Sequence, residues 1–421
     1  FVARRENGAY EGDIGHYVYW TRLVTLGGIE AAYSGHWPET YAVYPPVTLY
    51  GYQVAGSLYR LLQDPDFNLQ RAQRSVWLLE AIKLVALAWH LLTTAAIYLL
   101  VRQRDGRRAA ALTSAAYVAN PAAIFDVAHW GQPDGAHSLF SVLAVGWLGL
   151  GHVAAGWAAM SLAALSKPQA WVLLPLLAIA SVRQGGMVAL ARGLLLGALA
   201  GAAVVLPFFT SGRASSLLTL PGTIGSVMPV VSANAHNLWW LVSAAQGIDP
   251  VFTSDWLPAI GPLSYRAAAA LLVSAQLAFT YWLLWTGRVG LAEAAAMGVL
   301  GWFVFTTQAH ENHLFFVLPL LALAVPRRRS LLPVLVALSL TVLANMALHD
   351  LLFLEMVGRN PSERLVERLR VLNAAANVVC LLGWSLARIS SHHHELDSSR
   401  GGSWQEPRSD PARRAELQHA P

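Results

Sequence analysis

Residues 75–101 read SVWLLEAIKLVALAWHLLTTAAIYLLV. The run exceeds the ~20 apolar residues that carry a helix across the hydrocarbon of a bilayer, and it is read as a membrane span. Similar runs follow it closely, near 108–126, 136–150, 153–166, 168–183, 188–209, 266–286, 290–307, 313–325, 331–348 and 371–388. Across the whole chain of 421 residues, 55% are apolar and 13% charged, with a mean hydropathy of +0.45. Soluble domains carry about 25% charged residues. This composition excludes a soluble enzyme, a disordered chain and a disulfide scaffold. It predicts an all-α polytopic transmembrane helix bundle of about eleven spans.

Outward from the spans, three regions are expected. Residues 1–74 are mixed, and their apolar stretch 47–62 (VTLYGYQVAGSLYRLL) contains Gln53 and Arg60. It reads as an interfacial or re-entrant helix, with a true span as the alternative. Residues 75–389 form the bundle, with one long connection at 210–265. Residues 390–421 are rich in Ser, Arg, Glu and Pro and are expected to be a disordered cytoplasmic tail. Its His392, His393 and His394 read as solvated tail rather than a metal site. Cys380 is the single cysteine, so no internal disulfide or cysteine-built metal site can form. The chain starts at Phe1 without a methionine or a signal peptide.

The formal charge of +5 comes almost wholly from arginine, since Lys83 and Lys167 are the only lysines. The basic residues sit in short runs between spans, which marks topology rather than nucleic-acid binding. If the spans alternate, Arg102, Arg104, Arg107, Arg108, Arg183, Arg288, Arg327, Arg328, Arg329 and Arg388 share the cytoplasmic side. The chain then begins outside, which implies a further span upstream of Phe1. Residues 349–370 carry Arg359, Arg364, Arg368 and Arg370 on the outer side. They also carry Asp350, Glu355, Glu363 and Glu367, so an amphipathic surface helix is expected from Ser362.

Ionisable residues near a membrane are costly and are functional candidates by default. Five segments far apart in sequence bring them to the same outer face. These are Glu11, Asp13 and His16; His129 to Asp134 (HWGQPD); Lys167 to Gln169; Asn234 to Trp240 (NAHNLWW); and His310 to His313 (HENH). Each has a plainer reading. Asp13 could cap a helix, and Tyr44-Pro45-Pro46 could fix a turn. HWGQPD could be an ordinary polar loop. Lys167 could snorkel to the interface, Pro168 could open a helix, and Trp239-Trp240 could be belt aromatics. HENH places its histidines three apart, whereas a zinc protease needs them four apart. No P-loop and no G-x-G-x-x-G opening a βαβ unit is present, so a nucleotide-sugar domain is not supported.

One carboxylate among scattered cationic and imidazole donors suits transfer from a lipid-linked phosphate. A carboxylate can take the proton of an acceptor hydroxyl. Lys167, His310 and His313 can meet the charge developing on the leaving phosphate. No metal or other cofactor is required. Tyr17, Trp20, Trp130, Trp239 and Trp240 suit stacking on a sugar or sitting at the headgroup level.

The ordered motifs GDIGHYVYW, YPPVTLY, HWGQPD, SKPQA, NAHNLWWL and AHENHLFFVLPLLA resemble the GT-C class of integral-membrane glycosyltransferases. The likeness is to members that use polyprenyl- or dolichyl-phosphate sugars, the bacterial ones above all, and it covers about residues 10–325. It rests on Gly12-Asp13, Tyr44-Pro45-Pro46, His129 to Asp134, Lys167 to Gln169, and His310-Glu311 before Leu318-Pro319. Asn312 departs from the pattern, standing where the family carries a basic residue. The resemblance implies an inverting hexosyltransferase, such as a glucosyl- or mannosyltransferase, at the extracytoplasmic face of a cell membrane. Asp13 would be its base, and Lys167, His310 and His313 would bind the donor phosphate. Glu11, His16, Tyr44, His129, Trp130, Gln132, Asp134, Gln169, Asn237, Trp240 and Glu311 would line the substrate site. The partners implied are a polyprenyl-phosphate sugar and a glycan, lipid or protein acceptor, with no nucleic acid. The competing readings are a multi-span transporter or flippase, whose site would lie near the midplane in broken helices with repeat symmetry, and a non-catalytic scaffold.

Overall fold

The computed structural model describes the backbone of residues 11–35, 42–356 and 361–401, and their side chains save those of 11, 12, 351, 352 and 391–401. The first described segment holds α1 (Glu11–Gly27), a 3-10 turn at Ile29–Tyr33, α2 (Pro46–Leu62) and α3 (Leu69–Gln73). Pro46 opens α2 at the position where a missing N–H costs nothing. Tyr17, Trp20 and Val24 of α1 and Leu49, Tyr52 and Tyr59 of α2 share one buried core with Phe67, Leu78 and Ile82. The N-terminal region is therefore a packed helical layer, because its aromatic residues recur at helical spacing and interlock.

The next helices are α4 (Val76–Asp105), α5 (Arg107–Val118) and α6 (Pro121–Ile124), the last running into a π-helical turn at Phe125–Trp130. Ser75 caps α4 by accepting from the Leu78 N–H. The single span expected at 108–126 is broken. Asn120 caps α6 through the Ala122 N–H, and Pro121 cannot continue the ladder of α5. Then come α7 (Asp134–Gly149), α8 (Val153–Ala164) and α9 (Leu174–Thr210), the last led in by a 3-10 turn at Pro168–Leu173. Gly185 and Gly186 interrupt α9 with non-helical backbone, so it has two arms, matching the expected runs 168–183 and 188–209.

The long connection is itself structured. It contains α10 (Ala214–Val227), α11 (Leu238–Gln246) and an antiparallel pair, β1 (Pro258–Ile260) with β2 (Leu263–Ser264). The bundle resumes with α12 (Tyr265–Trp285), α13 (Leu291–Phe305), α14 (Val317–Ala324) and α15 (Leu332–Ala347), and continues to α16 (Leu351–Met356) and α17 (Glu363–Gly401). The helix expected over 313–325 begins only at Val317, since residues 311–316 form turns. With no proline between Glu363 and Gly401 to stop it, α17 merges the expected surface helix and the 371–388 span. Its backbone reaches Gly401, and 402–421 lie outside the described residues, as do the side chains of His392, His393 and His394.

Among the described residues, five helical stretches are long and apolar enough to cross a membrane: Val76–Asp105, Pro168–Thr210, Tyr265–Trp285, Arg329–Ala347 and Glu363–Ser390. The chain divides into Phe1–Leu381, which holds every candidate site residue, and Leu382–Pro421. The fold class is thus helical and rich in membrane-crossing segments.

Candidate active site

Gly131 turns the chain out of the π-helical segment. Its φ of +85° favours glycine, and a Cβ there would meet Lys83 Cγ at 2.9 Å. The Lys83 ammonium donates to the His129 carbonyl at 2.9 Å, holding the same turn. The next residue, Gln132, is buried and connects three elements. Its Nε2 donates to Asp13 Oδ2 at 2.9 Å, and its Oε1 accepts from Tyr17 at 2.8 Å and from Tyr44 at 3.4 Å. Asp13 lies inside α1 rather than ahead of it, and its partner is across the fold. Burial raises the Asp13 carboxyl above its ordinary value. His16 and Lys167 oppose that rise by their charge, and Trp130 and Gln132 by hydrogen bonds.

The first residue of α7, Asp134, pairs with Lys167, and each side chain is 2% exposed. Lys167 reaches inward because it is extended just before the Pro168 turn. It therefore does not snorkel. The second Asp134 oxygen accepts from Asn312 Nδ2 at 2.7 Å, and His137 Nδ1 stands 3.8 Å from the first. Asn312, in the place where a basic residue was expected, thus serves the carboxylate that Lys167 already neutralises. The Lys167 ammonium also lies 5.0 Å from the Tyr44 ring centroid. Burial pulls this ammonium down, but Asp134 and Tyr44 outweigh it and hold it above its ordinary range. Burial pushes the Tyr44 hydroxyl up to about 12.

The HENH segment completes the cluster. Ala233 donates its N–H to the Ala309 carbonyl at 2.9 Å, and Asn234 bridges to His310, laying the NAHN strand beside it. His313 Nδ1 accepts from the His310 N–H at 3.1 Å, and the two rings are 4.9 Å apart. The His310 side chain is 39% exposed, whereas Glu311 is buried, with Oε2 lacking any hydrogen-bond partner among the described residues. Burial lifts the Glu311 carboxyl to about 8, with Asp13 adding to the rise. Burial pulls His310 down to about 4, so its ring is neutral near pH 7.

The other expected residues are placed as follows. His16 stacks on Trp20 with centroids 6.0 Å apart. His129 Nε2 pairs with buried Asp350 at 2.6 Å. Gln169 is buried, with Oε1 unpartnered among the described residues. Asn237 caps α11 through the Trp239 and Trp240 N–H groups and donates to the Phe303 and Thr306 carbonyls, so its contacts are structural. Trp240 donates to Glu367 at 3.0 Å. Tyr17, Trp20, Trp130, Trp239 and Trp240 are all buried in packing, so the expected open stacking platform is not formed by them. The Glu11 side chain lies outside the described residues.

Sequence reasoning passed over residues inside the spans. Asn345, on α15, donates to the Glu311 and Asn234 carbonyls at 2.9 and 3.2 Å and accepts from the His236 N–H at 2.7 Å. His236 in turn meets His349 at 3.0 Å and Asn373 at 2.9 Å. A lone Asn or His within an apolar run was the available signal.

No protein-family model matches the chain, and none of the curated proteins searched matches it. Among solved structures it is similar to ArnT from Cupriavidus metallidurans in the apo state, at 18% identity and a TM-score of 0.49, over 89% of this chain and 66% of that one. It is likewise similar to ArnT from the same organism bound to undecaprenyl phosphate, at 20% identity and a TM-score of 0.49, over 90% of this chain and 67% of that one. The chain spans about two thirds of the length of those proteins.

Proposed function

We propose that this protein is a membrane glycosyltransferase that moves a sugar from a polyprenyl-phosphate donor to an acceptor hydroxyl, with Asp13 as general base. The observation that carries the reading is the meeting of Asp13 with Gln132, the Lys167–Asp134–Asn312 group and the Glu311–His310 pair at one end of the bundle. The ordered motif resemblance supports the same assignment. In the step proposed, Asp13 takes the proton of the acceptor hydroxyl as the hydroxyl oxygen bonds to the anomeric carbon, on the face away from the phosphate. The bond from that carbon to phosphate oxygen breaks, and the electron pair stays on the phosphate, giving inversion. Gln132 aims the Asp13 carboxylate. Lys167, already paired, contributes its charge at a distance, while His310 and the protonated Glu311 offer hydrogen bonds to the leaving phosphate. A neutral carboxylic acid is suited to this because it donates without adding negative charge.

Purified protein supplied with radiolabelled polyprenyl-phosphate mannose, glucose or arabinose should transfer label to an acceptor. Asp13→Asn should lower turnover ~100- to 10,000-fold while donor binding persists. Near-normal turnover in Asp13→Asn, or translocation of the donor without transfer, would refute the reading.

A further inference from the structure

Helix α7 has 16 residues, so at ~1.5 Å per residue its two ends are ~24 Å apart. Asp134 begins it, and Gly146 and Gly149 near its other end border a cleft of about 570 Å³. Arg104, Arg183, Arg327 and Arg328 line this cleft, together with Glu293. The arginines come from three separate places in the chain, all in the group that sequence charge bias assigns to one membrane side.

The guanidinium groups are anchored but not saturated. Arg104 Nε donates to Asp105 at 2.7 Å, and Arg327 Nε donates to the same carboxylate at 3.1 Å. Arg328 donates to Glu293 at 2.8 Å and to the Arg288 carbonyl at 3.3 Å. Arg183 donates to the Leu284 carbonyl. A guanidinium has five N–H donors. Within the described residues, Arg183 and Arg327 each use one of theirs. Among the described residues of the cleft, four guanidinium groups against the carboxylates of Asp105 and Glu293 leave a surplus of two positive charges. Just beside the cleft, Trp282 and Trp285 in the last turn of α12 are exposed, and Arg288 lies 4.2 Å from the Trp282 ring. Exposed tryptophans at the end of a membrane-crossing helix mark the headgroup level.

We propose that this cleft binds the phosphate of an anionic membrane lipid headgroup, at the face opposite Asp13. Its volume falls in the range of pockets that enclose a small ligand. Its spare donors match phosphate oxygens, for which arginine forms charge-assisted pairs.

The test uses the full chain in detergent, titrated with phosphatidylglycerol, phosphatidylcholine and inorganic pyrophosphate, with bound ligand counted by native mass spectrometry. Phosphatidylglycerol should bind at least about tenfold more tightly than phosphatidylcholine. Arg183→Gln and Arg327→Gln should each weaken it about tenfold, in line with the loss of one charge-assisted hydrogen bond. Arg102→Gln, in the same last turn of α4 as Arg104 but not lining the cleft, should leave it unchanged. Arg327 is 61% exposed, so its variant reports on binding even where Arg183→Gln fails to fold. Three outcomes would overturn the proposal: equal binding of the two lipids, an Arg102→Gln loss as large as that of Arg327→Gln, or binding of pyrophosphate without phosphatidylglycerol. Activity of the Asp13 site does not enter the measurement.

Discussion

Lys167 and Asp134 are both nearly inaccessible, so removing either charge alone strands the other in a dry interior. Lys167→Met should therefore lower stability by about 3–5 kcal/mol. Lys167→Met combined with Asp134→Asn should recover most of that loss, because neither charge remains. Thermal unfolding in detergent decides this, and a double variant no more stable than the single one would refute the pairing as the cause. Glu311 leads to a second expectation. Its carboxyl titrates at about 8, raised by burial, so the proton it offers is present below that pH and lost above it. Asp13 must be ionised to act as base, and burial raises its pKa above the ordinary carboxylate value. Turnover should thus fall on the acid side as Asp13 gains a proton and on the alkaline side above about 8 as Glu311 loses one. Glu311→Gln keeps a donor that does not titrate, so the alkaline fall should disappear in its pH profile while the acid one stays.

At the scale of elements, α9 depends on its glycine break. Gly186 has φ +67° and ψ −165°, a region that side chains with a Cβ do not enter without strain. Unbroken, Pro168–Thr210 would be 43 residues long, or ~65 Å at 1.5 Å per residue, against a hydrocarbon thickness of ~30 Å. The break lets two shorter arms form. Gly186→Ala should destabilise the protein by about 1–3 kcal/mol. Gly383→Ala, inside α17 with open space at its Cβ, should be neutral or stabilising by up to about 1 kcal/mol. Melting temperatures of the two variants compare these directly. The π-helical turn at Phe125–Trp130 is an element of a different kind. It delivers Gln132 toward Asp13, and the Asp126 carbonyl accepts from both Gly131 and Gln132 at 3.0 Å. Such turns are frequent at functional sites.

Over the whole molecule, the polar cluster around Asp13 and the arginine cleft lie at opposite ends of shared helices. On a Cys380→Ala background, Ser226→Cys and Arg107→Cys offer exposed positions toward these two ends. Ser226→Cys should react with an impermeant thiol reagent on intact cells, and Arg107→Cys only after permeabilisation. Labelling of both from the same side would break the assignment of the two faces. Gln132 and Asn312 are unsuitable for this test because both are buried.

The apolar runs, the charge bias and the clustering of polar motifs at span ends were legible in the sequence, because each is a property of local composition and period. Continuous apolar runs of about 20 residues dictate helices, since an unsatisfied backbone group in hydrocarbon costs several kcal/mol and a helix satisfies its own. Proline placement was legible too: Pro46 opens α2, and Pro168 opens the turn that leads into α9. Only the tertiary structure decided who partners whom. Lys167 read as a phosphate-binding cation, with snorkelling as the plainer alternative, and its pairing with Asp134, 33 positions earlier in the chain, was not legible. The aromatic residues read as sugar-stacking or headgroup-level side chains, yet all five are buried, Tyr17 and Trp20 in the core shared by α1 and α2 and Trp239 against Tyr265. Asn312 read as a missing donor, yet it holds Asp134, 178 positions away. Side-chain pairing across such separations depends on how helices stack, and no local period encodes it.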